Sequence, residues 1–137
     1  MKYFTMGEFM RSNKAAKLGI DNKCRKEHVP NILALVDNVL DPLREAYGKP
    51  IHVNSGFRCP KLNAAVGGSP TSDHMNGRAA DIAGTPDNKE ENKKIFDLIM
   101  SLKLPFDQLI DEYDFKWIHV SYRLDGGNRY MVLHKRL

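Results

Sequence analysis

Cysteine is scarce in this chain of 137 residues. Cys24 and Cys59 are too few for a disulfide scaffold and lack C-x-x-C spacing, so the fold must rest on an apolar core. No bond between them is expected, in keeping with a reducing compartment. No apolar run approaches the roughly 20 residues that span a bilayer. The start, Met1 to Glu8, has no continuous apolar stretch before its first acid, so no secretory signal is read there. The expectation is synthesis in the cytoplasm without a signal peptide, and no stable membrane association. Internal repeats, low-complexity tracts and linker-like stretches are missing as well, and residues 1–137 read as one domain. Nor is there a large excess of one charge: Lys+Arg 21 against Asp+Glu 17 gives a net charge of +4. With no RNP-type aromatic motif and no Cys/His finger spacing, nucleic acid is not an expected partner. A well-mixed solvated surface accounts for these charges.

What is present is a change of periodicity along the chain. Thr5-x-x-Glu8 has capping-box spacing, and Gly19 is placed to stop a helix after Leu18. Behind Pro30, residues Ile32, Leu35, Val36, Val39, Leu40 and Leu43 keep helical spacing, giving one apolar face. Pro42 is expected to break or kink that helix, with Asp41 capping a restart. From Ile51 the pattern alternates as a strand does, and Leu62 to Val66 reads as a helical turn. Ala80 to Ala83 reads as a brief buried strand, and Asp87-x-x-Glu90 as the cap of a helix ending near Pro105. Three strands are expected at 107–112, 117–122 and 129–134, the last two joined as a hairpin by Asp125-Gly126-Gly127-Asn128. The expected fold is α+β, N-terminal helices packed on a small, mostly antiparallel sheet.

The polar segment Ser72 to Asp81 has the skeleton S-x-H-x-x-G-x-A-x-D, and Trp117-Ile118-His119 follows about forty residues on. Two histidines and a carboxylate make a standard set of three zinc ligands that leaves a fourth position for water. Gly77 permits a tight turn between His74 and Asp81. Asp81 lies inside an apolar segment, where a carboxylate is costly without a cation or good donors. In a strand, Trp117, His119 and Ser121 share one face, while Ile118, Val120 and Tyr122 share the other. The second set suits a core, the first a site wall. On this argument alone, a loop histidine with ordinary hydrogen bonds and a half-buried His119 without function both stay open. His28, His52 and His134 show no partner spacing, and Met75 suits packing better than zinc.

These motifs, with Asp41-Pro42-Leu43-Arg44, Gly48-Lys49-Pro50 and Ser55-Gly56-Phe57-Arg58 ahead of them, resemble the zinc D-Ala-D-Ala carboxypeptidase and endolysin peptidase family. This is peptidase family M15, in particular its short carboxypeptidase-like branch. The resemblance spans about residues 36–122. It implies one zinc ion held by His74, Asp81 and His119, and cleavage of peptide bonds in bacterial cell-wall stem or cross-bridge peptides. It assigns Arg58 to stabilising the oxyanion. Ser72 either orients substrate or caps its own loop.

One position departs from the family. Many relatives carry an acid three residues before the last histidine, as general base; here Lys116 stands there, unable to accept a proton. If residues 113–116 form a hairpin connection, Glu112 lies opposite Trp117 with His119 as diagonal neighbour, at roughly 7–8 Å. Glu112 is therefore the first candidate base and Asp114, at the loop tip, the second. Gln108 shares the face of Glu112, and Trp117, Tyr113 and Tyr122 are candidates for a substrate groove, with core packing the better reading of Tyr122. The resemblance further suggests a phage or prophage lysis enzyme, acting on the cell wall after release through membrane lesions made by another protein, with a bacterial enzyme exported by another route as the alternative; a monomer is expected. The rival expectation is a non-catalytic zinc-containing module that binds cell-wall peptides, having lost the family's base.

Overall fold

Helix formation begins where side chains can cap it. In the computed structural model, which describes residues 1–136, Thr5 accepts a hydrogen bond from the Glu8 amide and opens α1 (Met6–Met10). Ser12 does the same for α2 (Asn13–Leu18), which Gly19 ends in a left-handed conformation. The long apolar pattern then forms α3 (Val29–Leu35), a π-helical turn (Val36–Leu40) and α4 (Asp41–Tyr47) in one unbroken run. Here the expected break at Pro42 does not occur. A proline ring inside a regular helix meets the carbonyl four residues back; the wider turn absorbs that conflict, and the Asp41 amide reaches back to the Val36 carbonyl. Asp41 is itself helical and caps no restart. Its carboxylate instead accepts the amides of Lys2 and Tyr3, at 2.7 and 3.1 Å, and ties down the N-terminus.

Strand β1 (Ile51–Ser55) leads to α5 (Pro60–Ala65), a 3-10 turn (Asp73–Asn76) and β2 (Ala79–Gly84). Helix α6 (Lys89–Ser101) is capped by Asn88, one residue later than the sequence pattern indicates. The freed Asp87 accepts a hydrogen bond from Asn92. Strands β3 (Gln108–Glu112), β4 (Trp117–Ser121) and β5 (Met131–Lys135) complete a five-stranded sheet of order β1-β2-β4-β3-β5. Four of the five strands pair antiparallel, as expected of this α+β fold. The exception is β5, which runs parallel to β3 rather than forming a hairpin with β4. Both edges of β4 are already occupied, by β2 and β3. The chain does turn at Asp125–Asn128, where Asn128 bonds the backbone of Arg123 in both directions. It then passes to the free edge of β3.

The sheet is asymmetric. Ala80, Ile82, Leu109, Ile118 and Val120 point into a core shared with Leu35, Val39, Leu40, Leu43, Ile95 and Ile99, nearly all without solvent exposure. Truncating any of these larger side chains to alanine removes about 2–5 kcal/mol. An antiparallel sheet needs only one face covered. Alternation sends Asp81, His119, Ile110, Gln108 and Glu112 to the other face, which carries the polar side chains.

Candidate metal centre and groove

Two of the candidate ligands stand on neighbouring strands and the third on a 3-10 turn. Asp81 sits in the middle of β2, directly opposite His119 of β4. Opposed residues of an antiparallel pair have Cβ atoms about 4.5–5.5 Å apart, which fixes these two without any loop. His119 Nδ1 lies 3.1 Å from Asp81 Oδ1. His74 arrives from the 3-10 turn before β2. Ser72 caps that turn by accepting the His74 amide at 3.2 Å. Gly77 closes it in a left-handed conformation at a φ of 75°, where an added Cβ would fall 2.9 Å from the His28 carbonyl oxygen.

The His74 ring is 1% exposed. Its Nδ1 lies 2.7 Å from the carbonyl oxygen of Gly56. A carbonyl only accepts, so Nδ1 carries the proton and Nε2 keeps its lone pair. That Nε2 is buried with no hydrogen-bond partner and stands 3.3 Å from Asp81 Oδ1. One ligand atom from each of His74, Asp81 and His119 lies within 4.8 Å of the others. Donors at 2.0–2.1 Å from one tetrahedral ion stand about 3.3 Å apart. The two measured spacings match this, and the unpaired His74 nitrogen has the lone pair a metal requires. The set fits one zinc ion.

The electrostatics agree with a cation site. Burial works against ionisation of Asp81, but the imidazoles of His74 and His119 outweigh it and hold the carboxyl far below the usual carboxylate range. Burial also opposes a charged His119, yet its bond to Asp81 and the nearby charges of Asp81, Glu112 and Asp73 raise its proton affinity. The cluster attracts positive charge.

Around it lies an open groove of about 680 Å³. Arg58 lines it, with Nη2 3.5 Å from Ser72 Oγ. Burial lowers its pKa, against the pull of Asp81 and Glu112, and its Nε has no partner. Among the described residues it forms no ion pair, so its charge stays available to the groove. Ser72 is a loop cap that also faces this guanidinium. Gln108, Glu112 and Trp117 line the same groove. Glu112 pairs with Trp117 and Ile110 with His119, the register anticipated from a 113–116 connection. Glu112 is 8% exposed and has Lys135 Nζ 3.5 Å away. Trp117 packs edge-on against Tyr113 at 5.2 Å and has an unpaired buried Nε1. Asp114 lies elsewhere: residues 113–115 all take left-handed backbone, and its exposed carboxylate pairs with Lys89 at 2.6 Å. Tyr122 packs against the core. His134 is not isolated, since its Nδ1 bonds the fully buried Asp111.

Sequence reasoning missed two features. The Gly56 carbonyl that orients His74 left no signal beyond the glycine itself. The groove cations Arg123, Arg129 and Lys135 went unnoticed. A clue was available in Asp107 and Asp111, acids alternating with Leu109 on a strand's buried face, which demand cationic partners.

The groove on this face of the five-stranded sheet is centred on a His-Asp-His set with the donor spacing of a metal centre. The chain matches the family model described as Peptidase M15 over residues 2–121, further toward the N-terminus than the motif-bearing stretch. It belongs to that family. It is also similar to the zinc D-Ala-D-Ala carboxypeptidase of Streptomyces albus G, with 52% identity over 44 residues, 31% of this chain and 17% of the relative. The match thus spans under a fifth of that relative's length.

Proposed function

We propose that this protein is a zinc peptidase hydrolysing peptide bonds in the stem or cross-bridge peptides of bacterial peptidoglycan. The observation that carries the reading is the buried, unpartnered His74 Nε2 converging with Asp81 and His119 on one point of an open groove. Membership of the M15 family and the similarity to a zinc D-Ala-D-Ala carboxypeptidase support it. A zinc ion bound there supplies Lewis acidity toward a carbonyl and lowers the pKa of a water toward about 7. The chain's own residues perform the remaining work. Glu112, with its carboxylate in the groove, accepts the proton of the attacking water and returns it to the departing amine. Arg58 meets the oxygen on which charge develops, and partial burial strengthens that attraction. Trp117 and Gln108 flank the peptide on either side of the metal along the sheet. On this reading the protein works at the cell wall as a carboxypeptidase or as an endolysin-type endopeptidase of a phage, after release from the cell in which it is made.

Mass spectrometry of purified peptidoglycan fragments, before and after incubation with zinc-loaded protein, tests this. Fragments lighter by one alanine establish a carboxypeptidase, and new stem termini or lost cross-links an endopeptidase. Unchanged fragments across several wall types, with zinc bound, would overturn the reading and leave a non-catalytic wall-binding module, for which Lys116 in place of the relatives' acid is the reason.

A further inference from the structure

At the Gln108 end of the groove two arginines converge on one buried acid. Asp107 has no solvent exposure. Its Oδ1 accepts the Arg129 backbone amide at 3.1 Å and Arg129 Nε at 3.0 Å. Its Oδ2 accepts Arg123 Nε at 3.2 Å and Arg129 Nη2 at 3.0 Å. Four donors fill the four lone-pair sites of a carboxylate. Asp107 is therefore saturated, while both Nη groups of Arg123 and Nη1 of Arg129 have no acceptor among the described residues. Both guanidiniums line the groove that holds the metal set, and with side chains 35% and 47% exposed they are accessible to a ligand.

Their position is fixed in advance. Asn128 accepts the Arg123 amide at 2.7 Å and donates to its carbonyl at 3.1 Å, closing the loop that carries both arginines. Ile110 stands opposite His119, and Gln108 lies two residues from it, about 7 Å along the strand. Asp107, the acid both arginines bind, is one residue beyond Gln108, so the arginines are anchored about two to three residues' length along the strand from the metal set, at the end away from Glu112. A rigid fork of unspent N–H donors matches a carboxylate and holds it with two parallel bonds.

We propose that Arg123 and Arg129 form a carboxylate-binding subsite that selects peptides bearing a free carboxylate within about two to three residues of the scissile bond. The inference rests on the peptidase reading. Two parts of such a peptide supply that group: the C-terminal α-carboxylate of the departing residue, or an acidic side chain beside the bond. Asp107 acts through the arginines, as a positioning residue.

The test compares hydrolysis by the zinc-loaded protein of two peptide pairs: one ending in D-Ala-D-Ala as free acid or carboxamide, the other containing L-Ala-D-Glu or L-Ala-D-Gln. The acid member of one pair is expected to be favoured about 10–100-fold in kcat/KM, the pair identifying which carboxylate is bound. Arg123→Gln is expected to bring that ratio to about 1, and Arg123→Lys to recover part of it. A purely structural pair would change the melting temperature of these variants and leave the ratio intact; that result, or equal rates for acid and amide in the wild type, overturns the subsite. Failure of the peptidase reading looks different. All four peptides then stay uncleaved, and calorimetric titration with the same peptides decides the subsite: acid binding that is lost in Arg123→Gln upholds it, and equal binding of acid and amide overturns it.

Discussion

Gly56→Ala tests whether the orientation of His74 depends on a backbone contact made by a residue that is neither a ligand nor in the groove. A Cβ on Gly56 would lie 2.7 Å from Phe9 Cα and 2.8 Å from the Phe9 carbonyl oxygen. These are backbone atoms of α1, joined to the next residue by the Phe57 amide, which donates to Phe9 O at 2.7 Å, so no rotamer change relieves the clash. The end of β1 must retreat from α1, and the Gly56 carbonyl moves with it. That carbonyl holds His74 Nδ1 at 2.7 Å. A retreat of a few tenths of an ångström or more takes the bond out of good geometry. Two costs follow. Overpacking removes about 1–3 kcal/mol of stability. Loss of the partner that orients a metal-binding imidazole lowers metal affinity by about 10–100-fold, or about 1.4–2.8 kcal/mol. The assay is zinc competition against a chromophoric chelator, with the melting temperature read in parallel. Gly84→Ala is the control. Its Cβ would lie 2.9 Å from both the Glu91 Cβ and the Tyr47 hydroxyl, away from the ligands, so it should lower the melting temperature and leave zinc affinity at the wild-type value. Gly56→Ala protein that melts early yet binds zinc as tightly as wild type would refute the proposed dependence of His74 on this carbonyl.

Glu112→Gln should lower turnover of a susceptible peptidoglycan peptide by about 10²–10⁴-fold with zinc content unchanged. Asp114→Asn, which touches only Lys89 at the surface, should shift stability by less than about 0.5 kcal/mol and keep turnover; the opposite pattern would move the base to Asp114. Asp107→Asn removes the buried carboxylate that two part-exposed arginines share and should cost about 2 kcal/mol at neutral pH, read by urea denaturation. The sign of its pH dependence follows from the carboxyl's pKa. The hydrogen bond from Arg129 holds the Asp107 pKa down to about 2 against the cost of burial, from 3.8 in the unfolded chain. Its contribution is therefore complete above about pH 4 and fades as pH falls toward 2. The stability gap between wild type and Asp107→Asn should narrow over that window, and a gap constant from pH 5 to pH 2 would contradict the assignment.

The parts of the site that were legible in the sequence are those fixed over short range. His74 and Asp81 are joined by one turn whose cap, Ser72, and closing glycine, Gly77, are local signals. Strand periodicity placed His119 and Trp117 together on one face, and a four-residue connection set Glu112 opposite Trp117. The helical face of residues 32–43 was equally plain, although Pro42 misled because a π-turn is a tertiary compromise with no sequence mark of its own. The partner of β5 was not legible. The Asp-Gly-Gly-Asn segment specifies that the chain turns, and says nothing of which edge is free when it emerges.

That unreadable choice is also what equips the groove. Pairing with β3 places Lys135 beside Glu112 and sets Arg136 and His134 on the buried Asp111. The same path brings Arg129 onto Asp107, with Arg123 at the other side of the loop. A β4–β5 hairpin would have required an edge that β2 occupies through the ladder that sets Asp81 opposite His119. With β2 and β3 on the two edges of β4, the last strand pairs along the far edge of β3. The basic residues of the C-terminal segment are delivered there to acids that burial would otherwise make untenable. Arg123 and Arg129 satisfy one of those acids and still keep donors facing the groove.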